Sequence, residues 1–450
     1  MLLPQSLRDQ SVCIVGLGYV GLTLAVAMAD AGFRVHGVEI SDTVLAALER
    51  HEPHFVEAGL NARLAEQITS GRFTFGKTFD ASAGSTAYII TVGTPVGDDK
   101  RVRFDSMRTV TEAVASVLQP DDMIILRSTV LVGTTRDFVR PILQRTSRPF
   151  SLAYCPERTL EGKALQELRS LPQVVGGIDA NSTFRASQMF SFLTPSIVRV
   201  ADPETAEKVK LVNNTQRDYV FAFANEVAAI CDTLGISAAE VIAGGNLGYP
   251  RANLPTPGPV GGPCLEKDPY ILAESLETRG MVPSLAIGAR RWNEALPERA
   301  VAQLGEHCSR AAITPRRIAV VGLAFKGRPA TDDLRGTLAI PIIAALRARF
   351  PDATLVGWDP VASPRDVATL GVAPCTVMTE AFEKSDLVLI QNNHDAFAVA
   401  DLFTLSSAMN KPSAIYDFWH QHDPRALRLA EGVTFHALGA FSIYEASADR

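Results

Sequence analysis

The strongest constraint on this chain is the hexapeptide Gly16-Leu17-Gly18-Tyr19-Val20-Gly21 and its surroundings. The apolar run Ser11–Val15 precedes it and reads as a buried strand. The apolar stretch Leu22–Ala29 follows and reads as a buried helix ending near Gly32. Phe33–Ile40 then reads as a second strand that ends in Glu39. Strand, glycine turn, helix, strand and acid within about thirty residues is the arrangement that binds a dinucleotide. Gly16 permits the tight turn, Gly18 lets a pyrophosphate approach the backbone, and Gly21 lets helix and strand pack closely. The helix N-terminus, at Tyr19 and Val20, offers unpaired N–H groups to the phosphates. Glu39 would accept from the adenosine ribose hydroxyls and would repel a 2′-phosphate, which favours NAD over NADP. The competing reading is a helix-packing turn with no ligand.

The rest of the N-terminal region continues the alternation. Ala87–Val92 reads as a strand followed by Thr94 and Pro95, Met107–Leu118 as a helix, and Met123–Leu126 as a strand followed by Ser128 and Thr129. Such alternation predicts a parallel sheet with helices on both faces, whose ligands sit beyond the strand C-termini. Thr94, Pro95, Ser128 and Thr129 all fall there and join the cofactor candidates.

Length and composition narrow the class. At about 150 residues per domain, 450 residues suggest three domains or two large ones with a connector. With 47% hydrophobic and 20% charged residues the chain can bury several cores and does not read as disordered. Its net charge of −6, with no long basic run, argues against non-specific nucleic-acid binding. The uncharged stretch Val12–Ala29 could pass for a membrane span or a signal peptide, but the glycine spacing explains it better. A soluble cytoplasmic protein is therefore expected, with no membrane partner. The six cysteines are scattered without a C-x-x-C pair, which reads as reduced thiols, with no disulfide framework and no metal site.

Three further segments carry chemistry. Ala153–Pro156 reads as a short strand giving way to Glu157-Arg158-Thr159-Leu160-Glu161-Gly162, where two carboxylates flank an arginine. Asp202 to Gly235 reads as one long helix, with a capping aspartate and proline at its start. Lys210 and Asn214, four residues apart, share a face of it. A helix this long bridges domains or packs on a partner helix. Asn253–Pro269 packs prolines and glycines ahead of Cys264, with Lys267 and Asp268 close behind. That suits a nucleophilic thiol beside a cation, although a buried or incidental thiol would also fit. In the C-terminal third, Arg317–Val321 runs into Gly322-Leu323-Ala324-Phe325-Lys326-Gly327, a nucleotide-type turn without the full fingerprint. Strands at Thr354–Trp358, Asp386–Gln391 and Ala414–Tyr416 predict a second doubly wound domain. Lys326 and Arg335 could face the phosphates of a nucleoside diphosphate, or could simply pair with Asp332 and Asp333.

Taken in order, these motifs resemble the UDP-glucose/GDP-mannose dehydrogenase family, from about residue 10 to 440. They are Gly16–Gly21, Ser128-Thr129-Val130, Pro156-Glu157-Arg158, Lys210 with Asn214, Gly261-Gly262-Pro263-Cys264 with Lys267-Asp268, and Gly322–Lys326 with Asp332-Asp333-Leu334-Arg335. The resemblance implies an α/β protein of two Rossmann-like doubly wound domains joined by a long central helix. An NAD domain would span 1–200, a central helical dimerisation region with the cysteine loop 201–300, and a domain for the UDP-sugar 301–450. It implies a homodimer or higher homo-oligomer. The implied reaction oxidises the C6 hydroxyl of a nucleotide sugar to a carboxylate in four electrons. Asp268, with water held by Thr129, would help remove the alcohol proton. Cys264 would form a thiohemiacetal and then a thioester. Glu157 would activate the hydrolytic water, and Lys210 and Asn214 would stabilise the oxyanion. Glu157, Arg158, Glu161, Lys210, Asn214, Arg251, Gly261, Lys326 and Arg335 are the implied substrate contacts.

Two features depart from the family pattern. Glu266 stands where a proline or small apolar residue is usual, and a carboxylate there should raise the thiol pKa unless it points to solvent. The segment PERTLEG, with Tyr249-Pro250-Arg251, looks closer to the branch acting on UDP-N-acetylhexosamines, UDP-GlcNAc or UDP-ManNAc, than to the UDP-glucose enzymes. UDP-glucose oxidation remains the alternative. A two-electron β-hydroxyacid-type dehydrogenase would need neither the thiol nor residues 315–440. A non-catalytic paralogue that binds nucleotide sugar is the third possibility, with Glu266 as its support.

Overall fold

The computed structural model describes residues 3–4, 6–79, 84–422 and 427–441, so the outer boundaries placed at 1 and 450 lie outside the described residues. The chain divides into two compact units. One comprises Met1–Asn214 with Tyr270–Val282, the other Thr215–Pro269 with Pro283–Arg450.

The first unit is built on an eight-stranded sheet. Its strands are β1 (Ser11–Val15), β2 (Arg34–Val38), β3 (Phe73–Gly76), β4 (Ala87–Ile90), β5 (Asp122–Leu126), β6 (Phe150–Tyr154), β7 (Gln173–Gly177) and β8 (Ile197–Arg199). The order is β3-β2-β1-β4-β5-β6-β7-β8, so the chain reverses direction beside β1. Neighbours run parallel except β6 and β7, which are antiparallel, a departure from the all-parallel alternation expected. The sixth strand also begins three residues before the predicted Ala153.

Alternation explains why this sheet is buried on both sides. Val12 and Ile14 of β1, Ile89 of β4 and Ile125 of β5 enter one core. Cys13 and Val15, Tyr88 and Ile90, and Ile124 and Leu126 enter the other. Successive strand side chains point to opposite faces. Each wholly buried Ile or Val contributes about 1.5–3 kcal/mol relative to exposure.

The second unit repeats the plan with six parallel strands, β9 (Arg317–Val321), β10 (Thr354–Trp358), β11 (Ala373–Pro374), β12 (Leu387–Ile390), β13 (Ser413–Asp417) and β14 (Val433–Ala437). Their order is β11-β10-β9-β12-β13-β14. Ile318 and Val320 face one core, and Ala319 and Val321 the other. Both sheets therefore reverse beside their first strand, which puts a turn and a crevice at the same topological place.

The helix Pro203–Leu234, 32 residues long, contributes to both units. Along it Val212, Tyr219, Phe223, Ile230 and Leu234 are exposed, at intervals of seven, four, seven and four residues. That spacing is about 3.7 residues per turn, close to the helical period, so the five side chains share one face of the helix. Among the described residues no helix is long and apolar enough to cross a membrane.

Glu207 ties the start of this helix to the sheet. Its carboxylate accepts from Gly133 N at 2.5 Å, Thr135 N at 2.8 Å and Thr135 Oγ1 at 2.6 Å. Burial outweighs these bonds and pushes its pKa from 4.5 up to about 7. A carboxyl raised in the folded state favours folding most when protonated, so its contribution is complete below the unfolded value and is lost as pH rises through 7. From pH 5 to 8 the wild type should therefore lose thermal stability relative to Glu207→Gln, with a slope difference of at most about 1.4 kcal/mol per pH unit. Melting curves of the two proteins across that range check this.

Candidate active site

The glycine turn after β1 has one open position and two closed ones. Gly16 has φ +91°, and its N–H donates to Val38 O at 2.8 Å. A Cβ on Gly21 would overlap Gly16 O and lie 2.7 Å from Thr91 Oγ1. Gly18 has nothing within 4 Å of its Cβ position. Only the middle glycine faces open space, which fits a pyrophosphate laid against the start of the helix Tyr19–Asp30. Glu39 lies at the end of β2, accepting from Leu17 N at 2.8 Å, Ile40 N at 2.8 Å and Ser41 N at 2.9 Å. These contacts orient the carboxylate beside the turn, where the ribose hydroxyls of NAD would lie. Thr94 donates to Thr129 O, and Ser128 O accepts from Tyr154 at 3.0 Å, so the strand-end residues are tied to one another. Pro95 is exposed and its carbonyl accepts from Arg103 N at 2.9 Å.

Tyr19 does more than begin the helix. Its hydroxyl donates to Glu57 and accepts from Gly162 N at 3.0 Å, and Glu57 Oε2 takes the same N–H at 2.7 Å. Burial, followed by Glu57, raises the phenol pKa far above its usual value. The nucleotide turn is thus joined to the loop 157–162, where half-buried Glu161 also acts on Tyr19. Glu57 carries no sequence signal, because its role depends on a partner 105 positions away.

Glu157 is buried and fully coordinated. Oε1 accepts from Arg158 N and Thr159 N, each at 2.7 Å. Oε2 accepts from Arg127 Nε at 3.2 Å and from Arg127 Nη2. Four donors fill the roughly four lone-pair sites of a carboxylate. Burial acts to raise its pKa, but Arg127, Thr159 N–H and Lys210 prevail and hold it below the usual range. Lys210 is buried too, and its ammonium donates to the Glu157 carbonyl at 2.6 Å. Asn214 lies one turn further along the helix, half-buried. Arg158 turns away to donate to Pro172 O.

In the second unit the cysteine loop is held by close backbone packing. A Cβ on Gly258 would lie 2.7 Å from the Trp419 ring. One on Gly261 would overlap Leu338 and Gly336 O, and one on Gly262 would overlap the Phe325 ring. Gly262 also has φ +86°, and its N–H donates to Gly336 O at 2.7 Å. A buried polar cluster holds the same loop. Arg290 donates to Asp218 Oδ1 at 2.7 Å, Val260 O at 3.0 Å and Leu265 O at 3.1 Å. Asn225 and Gly258 exchange hydrogen bonds of 3.1 and 2.9 Å.

This frame presents Cys264, the only exposed cysteine of the six. The other five are buried, and burial pushes the Cys13 and Cys155 thiols up to about 12 and that of Cys308 to about 11. Lys267 is beside it. Burial pulls the ammonium pKa down, yet Asp268 and Cys264 outweigh it and raise it above the usual value. Lys267 Nζ lies 3.0 Å from Asp268 Oδ1, and Asp268 is wholly buried. Glu266 is exposed, with its carboxylate over Gly336.

The turn after β9 resembles the first but is closed at its acid. Asp359 ends β10 as Glu39 ends β2. Its Oδ2 accepts from Leu323 N at 2.6 Å and Ala324 N at 2.9 Å, and its Oδ1 from Val361 N and Ala362 N at 2.8 Å. Asp359 therefore has little capacity left for a ribose. Arg335 takes the pairing alternative, with Nη2 on Asp333 at 2.6 Å. Lys326 lies over the Phe325 ring at 5.1 Å, and Arg251 stacks on Tyr249 at 4.4 Å.

Comparison with known proteins agrees across the chain. Residues 10–194 match the NAD binding domain of the UDP-glucose/GDP-mannose dehydrogenase family, 204–295 its central domain and 319–424 its UDP binding domain. A UDP-N-acetyl-D-mannosamine dehydrogenase from Pyrococcus horikoshii is 33% identical over 345 residues, 75% of this chain and 80% of that protein. The solved UDP-D-ManNAc dehydrogenase structure from the same organism superposes with TM-score 0.83 at 28% identity, covering 95% of this chain and 99% of that one. A UDP-glucose dehydrogenase from Pyrobaculum islandicum gives TM-score 0.85 at 25% identity, covering 98% and 100%.

The packing at Gly262 generates a prediction. Gly262→Ala adds a methyl group where φ is positive and the Phe325 ring is in the way, so it should destabilise the protein by about 2 kcal/mol or more. It should also change the rate at which iodoacetamide alkylates Cys264 by about threefold or more. A melting curve and a timed alkylation of the same variant measure both.

Proposed function

The chain belongs to the UDP-glucose/GDP-mannose dehydrogenase family, and from that premise we propose that it oxidises the C6 hydroxyl of a UDP-N-acetylhexosamine to the UDP-uronic acid. The observation that carries this reading is the single exposed thiol, Cys264, on a glycine-clamped loop beside Lys267 and Asp268. A two-electron alcohol oxidation would need no such nucleophile. UDP-N-acetylmannosamine is the first choice of substrate and UDP-GlcNAc the second, supported by the names of the relatives and by the PERTLEG segment. The likeness to the UDP-glucose dehydrogenase of Pyrobaculum islandicum keeps UDP-glucose as a second reading.

Gly16, Gly18, Gly21 and Glu39 would hold NAD, which would supply the hydride acceptor for both oxidations. Asp268, with a water held by Thr129, takes the C6 hydroxyl proton. The Cys264 thiolate adds to the resulting aldehyde to give a thiohemiacetal, whose oxidation leaves a thioester. Water then cleaves the C–S bond and regenerates the thiol. Lys210 and Asn214 donate to the oxygen that becomes negative in these steps, each donor worth on the order of 3 kcal/mol. The base for the hydrolytic water is assigned to Glu161 in preference to Glu157, because four donors already occupy the Glu157 carboxylate, and Arg127, the Thr159 N–H and Lys210 hold its pKa down. Arg251, Gly261, Lys326, Arg335 and Arg158 stay as proposed substrate contacts. Arg335 would have to exchange its Asp333 pairing for phosphate.

The exposed seam on the helix Pro203–Leu234 supports a homodimer in which two copies of this helix pack together. A self-complementary stripe suits a two-fold interface.

With limiting UDP-N-acetylmannosamine and excess NAD, the wild type should yield two NADH per sugar. Cys264→Ser should lose the product acid and fall by at least about a hundredfold in kcat. One NADH per sugar in the wild type would refute the four-electron reading, and two from UDP-glucose alone would move the substrate to the second reading. Phe223→Lys with Ile230→Lys should shift the mass measured by light scattering from dimer to monomer.

A further inference from the structure

Arg127 directly follows β5, one residue ahead of Ser128-Thr129, and its side chain is almost wholly buried. Its guanidinium binds three successive residues of another segment. Nη1 donates to Cys155 O at 3.0 Å and reaches Pro156 O at 3.5 Å, while Nε and Nη2 hold the Glu157 carboxylate. Nη1 also donates to Gln173 Oε1 at 2.9 Å, and the Gln173 amide returns to Pro156 O at 3.1 Å. The guanidinium lies 5.1 Å from the Phe190 ring centroid. The next carbonyl of the segment, that of Glu157, accepts from Lys210 Nζ. A lysine ammonium has three donors on a four-carbon stem, so one bond to a fixed carbonyl orients the other two.

We infer that Arg127 is a positioning residue for Lys210: it immobilises residues 155–157, and the Glu157 carbonyl so fixed aims the Lys210 ammonium at the reacting oxygen. The Glu157 carboxylate is the anchor of this grip. The inference rests on the oxyanion role proposed for Lys210. Lysine at 127 would not substitute, because one ammonium cannot reach a carboxylate, two carbonyls and an amide that lie in different directions.

The charged groups facing Glu157 are Arg127, its neighbour Arg158, and Lys210 from the long helix. Without Arg127, burial would govern the carboxyl and push its pKa up, so it would take up a proton at higher pH than in the wild type and release its hold on the loop.

The test compares wild type, Arg127→Met, Arg127→Lys, Glu157→Gln and the double variant Arg127→Met/Glu157→Gln. Turnover with UDP-N-acetylmannosamine and NAD is measured across pH, and hydrogen exchange is followed in peptides covering 155–162. Arg127→Met should lower kcat by about a hundredfold with the KM for NAD changed less than about threefold. It should show an acid limb absent from the wild type and from the double variant. The kcat losses should be non-additive, since both residues act through one grip. Exchange of the Arg158 and Thr159 amides should quicken by about tenfold or more, with β1 and β2 unchanged. Unchanged exchange at 155–162, or a pH-independent loss that multiplies with that of Glu157→Gln, would overturn the inference. If Arg127→Met does not fold, Arg127→Lys and the charge-balanced double variant carry the same comparison. A wild type that makes no NADH from any nucleotide sugar would refute the proposed function, and the exchange measurement would still decide whether Arg127 grips the loop.

Discussion

Backbone packed directly against side chains, with no Cβ between them, fixes the geometry around Cys264. Gly258, Gly261 and Gly262 lie against Trp419, Leu338 and Phe325, all belonging to the second doubly wound layer. A loop this rich in proline and glycine has little regular hydrogen bonding of its own. Its carbonyls and N–H groups are satisfied from outside by Arg290, Asn225 and Gly336. The thiol is therefore presented by a loop whose backbone is held by its neighbours. The exposure of this one cysteine, against five buried ones, follows from that support and not from any property of the cysteine itself.

The same economy holds in the first unit, where buried charge does the positioning. Arg127 and Glu157 form an ion pair in which further donors meet the remaining lone pairs, the condition under which a buried pair is tolerated. Tyr19 and Glu57 tie the nucleotide turn to the same loop. The loop 157–162 is thus held by side chains from three distant parts of the chain.

Much of this was legible from local pattern. β1, β9 and β10 fall where the apolar runs placed them, and the helix Pro203–Leu234 agrees within a residue at each end with its capping and apolar spacing. The glycine fingerprint announced its open middle position, because the chemistry of that turn depends on adjacent residues. What was hidden depends on distant pairs. β6 begins earlier than its apolar residues suggested, and β7 runs antiparallel, since strand direction is settled by tertiary pairing and not by composition. Arg127 was overlooked beside the more suggestive Ser128-Thr129. Its partners lie 30 and 46 positions away, a separation that no motif spans. The assignment of water activation to Glu157 rested on the resemblance, and the Arg127 contact to its carboxylate, 30 positions away, has no local signal.

The two sheets share a strand order, a glycine turn after the first strand and an acid after the second, yet the acids differ in what they have left to give. Asp359 is one methylene shorter than Glu39 and is drawn into four backbone N–H groups at once. An engineer who restored the one missing glycine after β9, at Ala324, would not obtain a second dinucleotide pocket. The carboxylate that should read the ribose is already consumed in closing the turn, so the loop would first have to be rebuilt around a longer acid. Specificity in a duplicated scaffold can reside in the spare valence of one side chain as much as in the shape of the loop.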